Sequence, residues 1–443
     1  MEFNRSDCQK ILKQVLKFSK ADATHVILSS YSSALTRFAN NGIQQNMAEE
    51  GVQLTVRVVL GKKTAKATTN RLDREAISHV VEIACHLAKL APEQDLPKLP
   101  GRQRYPRLRR SDPQTVKFTP QQRARRVQQA IELVKVRSLN SAGFLSNQVT
   151  TTAMTNSQGL FAYDRHTQAE FSITVLAQDS SGWAKAAAPT VNDLFVEEMT
   201  EQAIQKAILG QNPKDLEPGV YTVILEPAAV ADLLSFMVYD FGALSVHYKK
   251  SFLTEKLGTR LFGQNISIVD NVAHPLQMGL SFDGDGIPRK RMVLVNRGVV
   301  KNLVYSITTA KKLGKKPTGH GMFFEPGEVP MNIVMAGGRA TVDEMITSTE
   351  RGLLVTRFWY IREVDPTQKI LTGMTRDGTF YIHKGRIQHG VKNLRFNQGL
   401  VEMLHKVEIM GRPVRASGEE HYGCMVMPPM KVEGFNFTGK TVF

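Results

Sequence analysis

The segment 317–321 carries the residue types in this sequence that are best suited to chemistry. It reads Pro-Thr-Gly-His-Gly, and Asn332 follows soon after it. Glycines on both sides of His320 allow backbone to approach a ligand closely, and an imidazole can donate or accept a proton near neutral pH. Thr318, Gly319, His320 and Asn332 are therefore candidates for a ligand-binding cleft, although a structural turn is the simpler alternative.

A second candidate is the pair His421 and Cys424, whose spacing would suit two zinc ligands. No other pair of matching spacing occurs in the chain, although His320 and His405 could approach this pair in the folded protein. A two-residue fragment of this kind is usually incidental. The preferred interpretation is that the pair holds no metal.

The run Asp283-Gly284-Asp285-Gly286 resembles part of a calcium-binding loop. An EF-hand loop closes on a carboxylate at its twelfth position, and Leu294 occupies that position here. A tight turn between strands is the preferred explanation. The sequence also lacks the zinc-peptidase motif His-Glu-x-x-His, the Gly-x-Ser-x-Gly nucleophile turn and a Walker A loop.

The composition is that of a soluble globular protein, with 42% hydrophobic and 22% charged residues. Three scattered cysteines cannot form a disulfide framework, and four lysines interrupt the first twenty residues, so no signal peptide is expected. The apolar stretch 228–246 contains Asp232 and Asp240, which favours a buried helix over a membrane span. We therefore expect a cytoplasmic protein without a membrane segment.

Positive charge is concentrated between Lys98 and Arg137. Twelve lysines and arginines lie in this span against two acidic residues, Asp112 and Glu132, in a chain whose formal net charge is +16. Such a cluster could bind an anionic partner such as nucleic acid. The preferred alternative is a solvated linker followed by the outer face of a helix.

Local signals predict a small α/β unit at the N-terminus. Ser6 can cap a first helix, Asn-Asn-Gly at 40–42 predicts a hairpin, and a closing helix is expected from Asp73 to about Leu90. The strand 52–60 alternates, so its apolar face should be buried and its polar face should be wet. The polar face carries Gln53, Thr55 and Arg57.

A similar pattern recurs after a proline-rich basic segment. Five prolines between 92 and 113 exclude a continuous helix, so 93–118 is predicted to be a linker. A helix then opens at Thr119-Pro120, strands follow, and a second closing helix is expected from Asn192 to Leu209. Two such units in tandem suggest an internal duplication.

The second half of the chain consists mostly of short strands and turns. Turn signals at 296–298 and 384–385 predict hairpins, and short helices are expected at 306–313 and 399–407. One longer helix, from Glu226 to about Leu244, has apolar residues at helical spacing.

The predicted fold class is therefore α+β. A duplicated helix–β-meander–helix N-terminal region precedes a large β-rich C-terminal domain. The expected boundaries are 1–92 for the first α/β unit, 93–118 for the linker, 119–214 for the second unit and 218–443 for the C-terminal domain.

Short motifs from about residue 35 to the C-terminus resemble the TldD/PmbA family. They include Thr-Ala-Lys-Lys-Leu-Gly at 309–314, Pro-Thr-Gly-His at 317–320, and Val-Glu-Gly-Phe-Asn-Phe-Thr-Gly at 432–439. Ser-Phe-Leu at 251–253 and Asn-Leu-Val at 302–304 fit the same pattern. Each motif is short, but their order and spacing together are specific.

The resemblance implies a cytoplasmic protein of a group once called modulators of DNA gyrase. In this family the TldD-type member resembles a zinc peptidase, with His-Glu-x-x-x-His on a helix and a later cysteine ligand. Its PmbA-type partner, also called TldE, lacks these ligands. The heterodimer is thought to take unfolded or extended peptides into an enclosed cleft, for which Thr318, Gly319, His320 and Asn332 are the candidate residues here.

The position of the family's zinc helix identifies this chain with the PmbA-type branch. If Leu233-Leu234 corresponds to the pair before the motif, Ser235, Phe236 and Asp240 replace the first His, the Glu and the second His. No histidine occurs from 225 to 246. A helix without imidazoles cannot form a His-based zinc site, and Phe cannot act as a general base.

Three hypotheses about function follow. The leading one is a PmbA/TldE-type subunit that holds no cofactor itself and pairs with a zinc-carrying TldD-like metallopeptidase, or with a second copy, to process peptides. Cys424 fits it, since this residue lies too close to Pro428-Pro429 to match the family's cysteine ligand. The alternatives are an autonomous hydrolase with a divergent site near His320, His421 and Cys424, and a nucleic-acid-associated modulator that uses 98–137.

Overall fold

The computed structural model describes residues 3–420 and 423–441, and the chain opens with a helix, three strands and a helix. These elements are α1 (Arg5–Phe18), β1 (Ala23–Ala39), β2 (Gly42–Leu60), β3 (Lys63–Thr69) and α2 (Arg74–Leu90). The predicted hairpin is confirmed, since Asn40 and Asn41 adopt φ angles of 51° and 54° between β1 and β2. Asn4 caps α1 instead of Ser6, because its side chain accepts the amides of Ser6 and Asp7 at 2.8 and 3.0 Å.

A second set of helices and strands follows along the chain. It comprises α3 (Pro113–Val116), α4 (Pro120–Lys135), β4 (Asn140–Asn156), β5 (Phe161–Leu176), β6 (Ser181–Ala188) and α5 (Val196–Leu209). The closing helix begins at Val196 and not at Asn192, because Val191–Asp193 forms a separate 3-10 turn. β1 pairs with β4, so both sets of strands join in one six-stranded sheet of order β3-β2-β1-β4-β5-β6. The duplication itself stays a prediction.

The two faces of this sheet are covered by different parts of the molecule. Helices α1 and α2 cover one half of the first face, and α4 and α5 cover the other half. The opposite face packs, at Ile27, against Phe282 of the C-terminal region. Thr55, which lies opposite Ile27, is therefore only 6% exposed, and Arg57 is half-buried, whereas Gln53 is exposed. The prediction of a wet face is wrong at these two residues, because the C-terminal region covers them.

The C-terminal region contains two further sheets and short helices. Its elements are β7 (Gly219–Leu225), α6 (Pro227–Ser235), α7 (Ala243–His247), β8 (Ile268–Asp270), β9 (Met292–Asn296), β10 (Val299–Val300), α8 (Ile307–Lys312), β11 (Ile333–Met335), α9 (Val342–Thr347), β12 (Arg351–Asp365), β13 (Ile370–His383), β14 (Arg386–Gly390), β15 (Leu394–Gly399), α10 (Leu400–His405), β16 (Val407–Met410), β17 (Val414–Ala416), β18 (Met425–Met427) and β19 (Met430–Lys440). Both predicted hairpins and both short helices are present, and the mixture of helix and strand agrees with an α+β class.

The two C-terminal sheets differ in closure. One has the order β10-β9-β8-β11-β18-β17. The other has the order β12-β7-β19-β15-β13-β14, and β12 also pairs with β13, so five of its strands form a closed ring. Phe358, Phe396 and Phe435 contact one another in the buried core of this region. Closure removes free strand edges from the ring.

The helix predicted from Glu226 to about Leu244 is wrong in its length. It divides into α6, a 3-10 turn at Val238–Phe241, and α7. Backbone pairing accounts for the boundary between the 3-10 turn and α7: the amide of Ala243 donates to the carbonyl of Val304 at 3.0 Å, and the amide of Val304 donates to the carbonyl of Phe241 at 2.9 Å. Among the described residues, no helix has both the length and the apolar character needed to cross a bilayer.

Candidate functional site

Two of the four predicted cleft residues, His320 and Asn332, contact Asp270, a buried residue at the end of β8, and Thr318 contacts His320. The Nδ1 atom of His320 lies 2.9 Å from the Thr318 hydroxyl, and its Nε2 atom lies 3.5 Å from Asp270 Oδ1. The amide of Asn332 donates to Asp270 Oδ2 at 2.8 Å. We call Asp270, Thr318, His320 and Asn332 the Asp270 cluster. Sequence reasoning missed Asp270, because only the pairing of β8 with β11 brings it beside Asn332.

The electrostatics of the Asp270 cluster favour an ionised carboxylate. Asp270 and His320 are both fully buried. Burial alone would raise the pKa of Asp270, but the adjacent imidazole of His320, followed by the charge of Arg289, holds that pKa below its usual value. A buried aspartate that stays charged can orient both His320 and Asn332.

Gly319, the fourth predicted residue, has a packing role. Its φ angle is +80°, and a Cβ atom at this position would lie 2.5 Å from the carbonyl oxygen of Pro288. Only glycine fits such a left-handed turn against neighbouring backbone without strain. The turn brings Thr318 and His320 together, and Gly319 itself faces Pro288.

A cavity of about 350 Å³ lies beside the Asp270 cluster, between the six-stranded sheet and the C-terminal region. Asn332 forms part of its wall, together with Arg289 and His166. The apolar wall includes Met278, Leu280, Met322, Phe323, Val329 and Met331, so we call it the Met cavity. A larger depression of about 840 Å³ around Asp377 contains none of the predicted residues.

The polar atoms of the Met cavity lack partners within the described part of the protein. They are Arg289 Nη1, Asn332 Oδ1 and His166 Nδ1, all buried. Burial, more than any neighbouring charge, lowers the pKa of His166, so its imidazole is neutral at neutral pH. Sequence reasoning had no signal for Arg289 and His166, which come from distant segments.

The acidic run at 283–286 forms the predicted turn. Asp283 Oδ1 accepts the amides of Asp285 and Ile287 at 3.0 and 2.8 Å, and its Oδ2 accepts the amide of Gly321 at 2.8 Å. Burial, and then the charge of Asp285, raise the pKa of Asp283 to about 7. These carboxylate oxygens accept hydrogen bonds from backbone amides and are not arranged around a cation. Their bond to Gly321 joins the turn to the segment that carries His320.

The pair His421 and Cys424 can be assessed only in part, since His421 lies outside the described residues. Cys424 is buried in the wall of the Met cavity, where its thiol donates to the carbonyl of Met425 at 3.4 Å. Burial raises the pKa of this thiol to about 12, so it is protonated at neutral pH. Within residues 3–420 and 423–441, no group of three or more His, Cys, Asp or Glu side chains is placed to hold a metal ion.

The positions predicted to match the family's zinc helix contain a buried ion pair. Lys369 Nζ lies 2.6 Å from Asp240 Oδ2 and donates to the carbonyl of Phe236 at 3.2 Å. Burial raises the pKa of Asp240, and Lys369 opposes that effect. The hydroxyl of Ser235 donates to the carbonyl of Asp232 at 2.7 Å. Zinc does not fit this set of side chains. The ammonium group of Lys369 is paired with the carboxylate of Asp240, and Ser235, Phe236 and Asp240 provide no imidazole.

The basic span 98–137 contributes to the internal structure. Arg110 is buried and donates to the carbonyls of Gly279 and Val272. Arg123 is 1% exposed and donates to the side chain of Asn147 at 2.8 Å. The interpretation as a solvated linker and an outer helix face is therefore wrong for these two arginines. Most of the remaining bases in the span are exposed.

Sequence models of one family match three consecutive parts of the chain. They describe domain 1, the central domain and the C-terminal domain of the PmbA/TldA metallopeptidases, and they match residues 26–88, 110–210 and 218–439. The C-terminal match alone covers half of the chain, and the three occur in family order. The chain belongs to the TldD/PmbA metallopeptidase family.

Individual relatives agree with this assignment. The chain is 28% identical to an uncharacterized protein of Methanocaldococcus jannaschii over 208 residues, which cover 46% of this chain and 49% of that protein, about half its length. It is 24% identical to the metalloprotease PmbA homolog of Haemophilus influenzae over 447 residues, or 96% of each chain. The crystal structure of TldE from Thermococcus kodakarensis matches with a TM-score of 0.89 at 19% identity, over 97% of this chain and 99% of that one. The two share a fold.

Proposed function

We propose that this protein is the PmbA/TldE-type subunit of a cytoplasmic two-subunit metallopeptidase that processes unfolded or extended peptides. A TldD-like partner carries the zinc ion and the His-Glu-x-x-x-His motif. This chain contributes a peptide-binding cleft next to the Asp270 cluster. The relatives named PmbA and TldE support the assignment to this branch.

The ion pair between Lys369 and Asp240 carries the proposal, because we take Asp240 to stand where a peptidase of this family has a zinc-binding histidine. A second ligand position is Ser235, whose hydroxyl is bonded to backbone, and the general-base position is Phe236. Neither a metal-bound water nor its activation can be built from these groups. The chain therefore needs a partner for hydrolysis.

Co-expression with the TldD-type chain of the same organism tests this proposal. A tagged copy of this protein should retain that chain through gel filtration, and the complex should cleave an unfolded substrate such as reduced casein. Substituting Glu with Gln in the partner's His-Glu-x-x-x-His should abolish cleavage without releasing the partner. Cleavage by this chain alone, or by the complex with the Gln variant, would contradict the proposal.

A further inference from the structure

Two residues in the wall of the Met cavity, Arg289 and Asn332, each carry a buried polar atom without a bonding partner among the described residues. Arg289 is 5% exposed; its Nε atom donates to the carbonyl of Phe282 at 3.3 Å, and its Nη1 atom has no protein partner among the described residues. Asn332 is fully buried, and its Oδ1 atom also has no such partner. Leaving a buried polar group without a bond is unfavourable. A ligand that reaches these two atoms would supply the missing bonds.

The two atoms have complementary bonding roles. Arg289 Nη1 can only donate, and Asn332 Oδ1 can only accept. The side chain of Asn332 keeps this orientation because its Nδ2 atom donates to Asp270 Oδ1 at 3.4 Å. A peptide group offers one carbonyl acceptor and one amide donor, which are the two kinds of group that these residues can bond.

The charges around the cavity favour an uncharged ligand. Arg289 already interacts with the carboxylates of Asp270 and Asp283, whose pKa values it lowers. His166 is neutral, because its burial lowers its pKa. Asp270 lies next to Asn332 of the cavity wall, and its carboxylate would repel an anionic ligand.

The remaining wall is apolar and adaptable. Three methionines and Phe323 line it, and Met331 lies at the rim with 56% of its surface exposed. Unbranched methionine side chains adjust to ligands of different shape. The volume of about 350 Å³ leaves room for a large side chain.

We propose that the Met cavity binds an uncharged apolar side chain of an extended peptide, and that Arg289 and Asn332 form hydrogen bonds with the adjoining peptide group. This inference rests on the proposed function in peptide processing. The subsite would select peptides by one apolar residue and would tolerate several such residues. Unfolded segments, which expose leucine and phenylalanine, fit this chemistry.

Fluorescence anisotropy with three labelled peptides tests the proposal on the full chain. The peptides have one disordered sequence and differ only at a central residue, which is Leu, Gly or Asp. The Leu peptide should bind at least about tenfold more tightly than the other two, since burial of such a side chain contributes roughly 1.5–3 kcal/mol. Preference for Asp, equal affinities, or no binding of any peptide would overturn the proposal.

Two wall variants locate the binding. Met331→Glu changes a half-exposed residue at the rim. Met322→Gln changes a second residue of the wall, in case the Met331→Glu variant does not fold. Circular dichroism shows whether each variant is folded. Each should weaken the Leu peptide at least fivefold, whereas Met47→Glu, a similarly exposed methionine in β2, should not. Unchanged affinity in a folded wall variant would overturn the proposal.

Retention of a TldD-type partner tests complex formation separately, so the subsite can fail while the proposed function stands.

Discussion

At the scale of single residues, Asp240 and Lys369 decide what the centre of the C-terminal region can bind. The carboxylate and the ammonium group are each about 95% buried and lie 2.6 Å apart. A buried ion pair of this kind adds little net stability, but removal of one partner strands a charge. The same pairing places an ammonium group directly against the carboxylate, where a metal ion would have to displace it.

A double-mutant cycle tests this pair. Lys369→Met should lower the free energy of unfolding by roughly 3 kcal/mol, because it leaves the buried carboxylate of Asp240 without a cation. Asp240→Asn should cost less, because Lys369 also pairs with Glu363. The double variant should lose clearly less than the sum of the two. Urea denaturation gives all four values, and strict additivity would show that the side chains do not interact.

Asp283 predicts a pH dependence of stability. Its pKa is raised from 3.8 to about 7, so its contribution to stability is fully present below pH 3.8 and is lost as the pH rises through 7. Asp283→Asn should therefore destabilise the protein more at about pH 5 than at about pH 8, by at least about 1 kcal/mol. Urea unfolding at the two pH values checks this, and a cost that grows toward pH 8 would contradict it.

Local sequence signals found part of the site and could not find the rest. Glycines and a histidine at 317–321 identified Thr318 and His320, because that signal lies within one short segment. Asp270, Arg289 and His166 come from three distant segments, and only the assembled sheets bring them to the same place. Lys369 was missed for the same reason.

At the scale of secondary-structure elements, capping and turn residues set most boundaries. Asp73 and Thr119 cap α2 and α4 at the predicted positions, and Asn40-Asn41 form the predicted hairpin. The boundary between the 3-10 turn and α7 had no local cause, since it follows from pairing with Val304. Elements whose boundaries depend on neighbouring residues were predictable. Elements whose boundaries depend on backbone pairing with a distant segment were not.

Close packing of α5 on β6 gives a prediction at this scale. A Cβ atom on Gly182 would lie 2.1 Å from the carbonyl oxygen of Ala203, so the helix must move away. Gly182→Ala should cost about 1–3 kcal/mol of unfolding free energy. Gly399→Ala is the matched control, because its nearest neighbour would be 3.8 Å away. Equal melting temperatures for the two variants would refute the packing argument.

At the scale of the whole molecule, the six-stranded sheet and the C-terminal region share a small apolar core. Phe282 inserts between Ile27, Met154 and Leu160, and the hydroxyl of Tyr105 donates to the carbonyl of Gly286 at 2.9 Å. The Met cavity lies at the same junction. Coupling between the two parts therefore determines the shape of the proposed cleft.

Removal of Phe282 tests that coupling. Phe282→Ala should lower the free energy of unfolding by about 3–5 kcal/mol, because it leaves a cavity in a buried interface. Phe324→Ala, at a residue 41% exposed, should cost less than about 1 kcal/mol. Chemical denaturation followed by circular dichroism gives both values, and similar costs would show that Phe282 does not join the two parts.

The zinc content of the isolated chain tests the central claim most directly. The purified protein and its Asp240→Asn variant are incubated with excess zinc, passed through gel filtration and analysed by inductively coupled plasma mass spectrometry. We expect far less than one zinc ion per chain in both, because Lys369 pairs with the carboxylate of Asp240 and no histidine occurs from 225 to 246. One zinc ion per chain in the native protein, lost in the Asp240→Asn variant, would contradict the account.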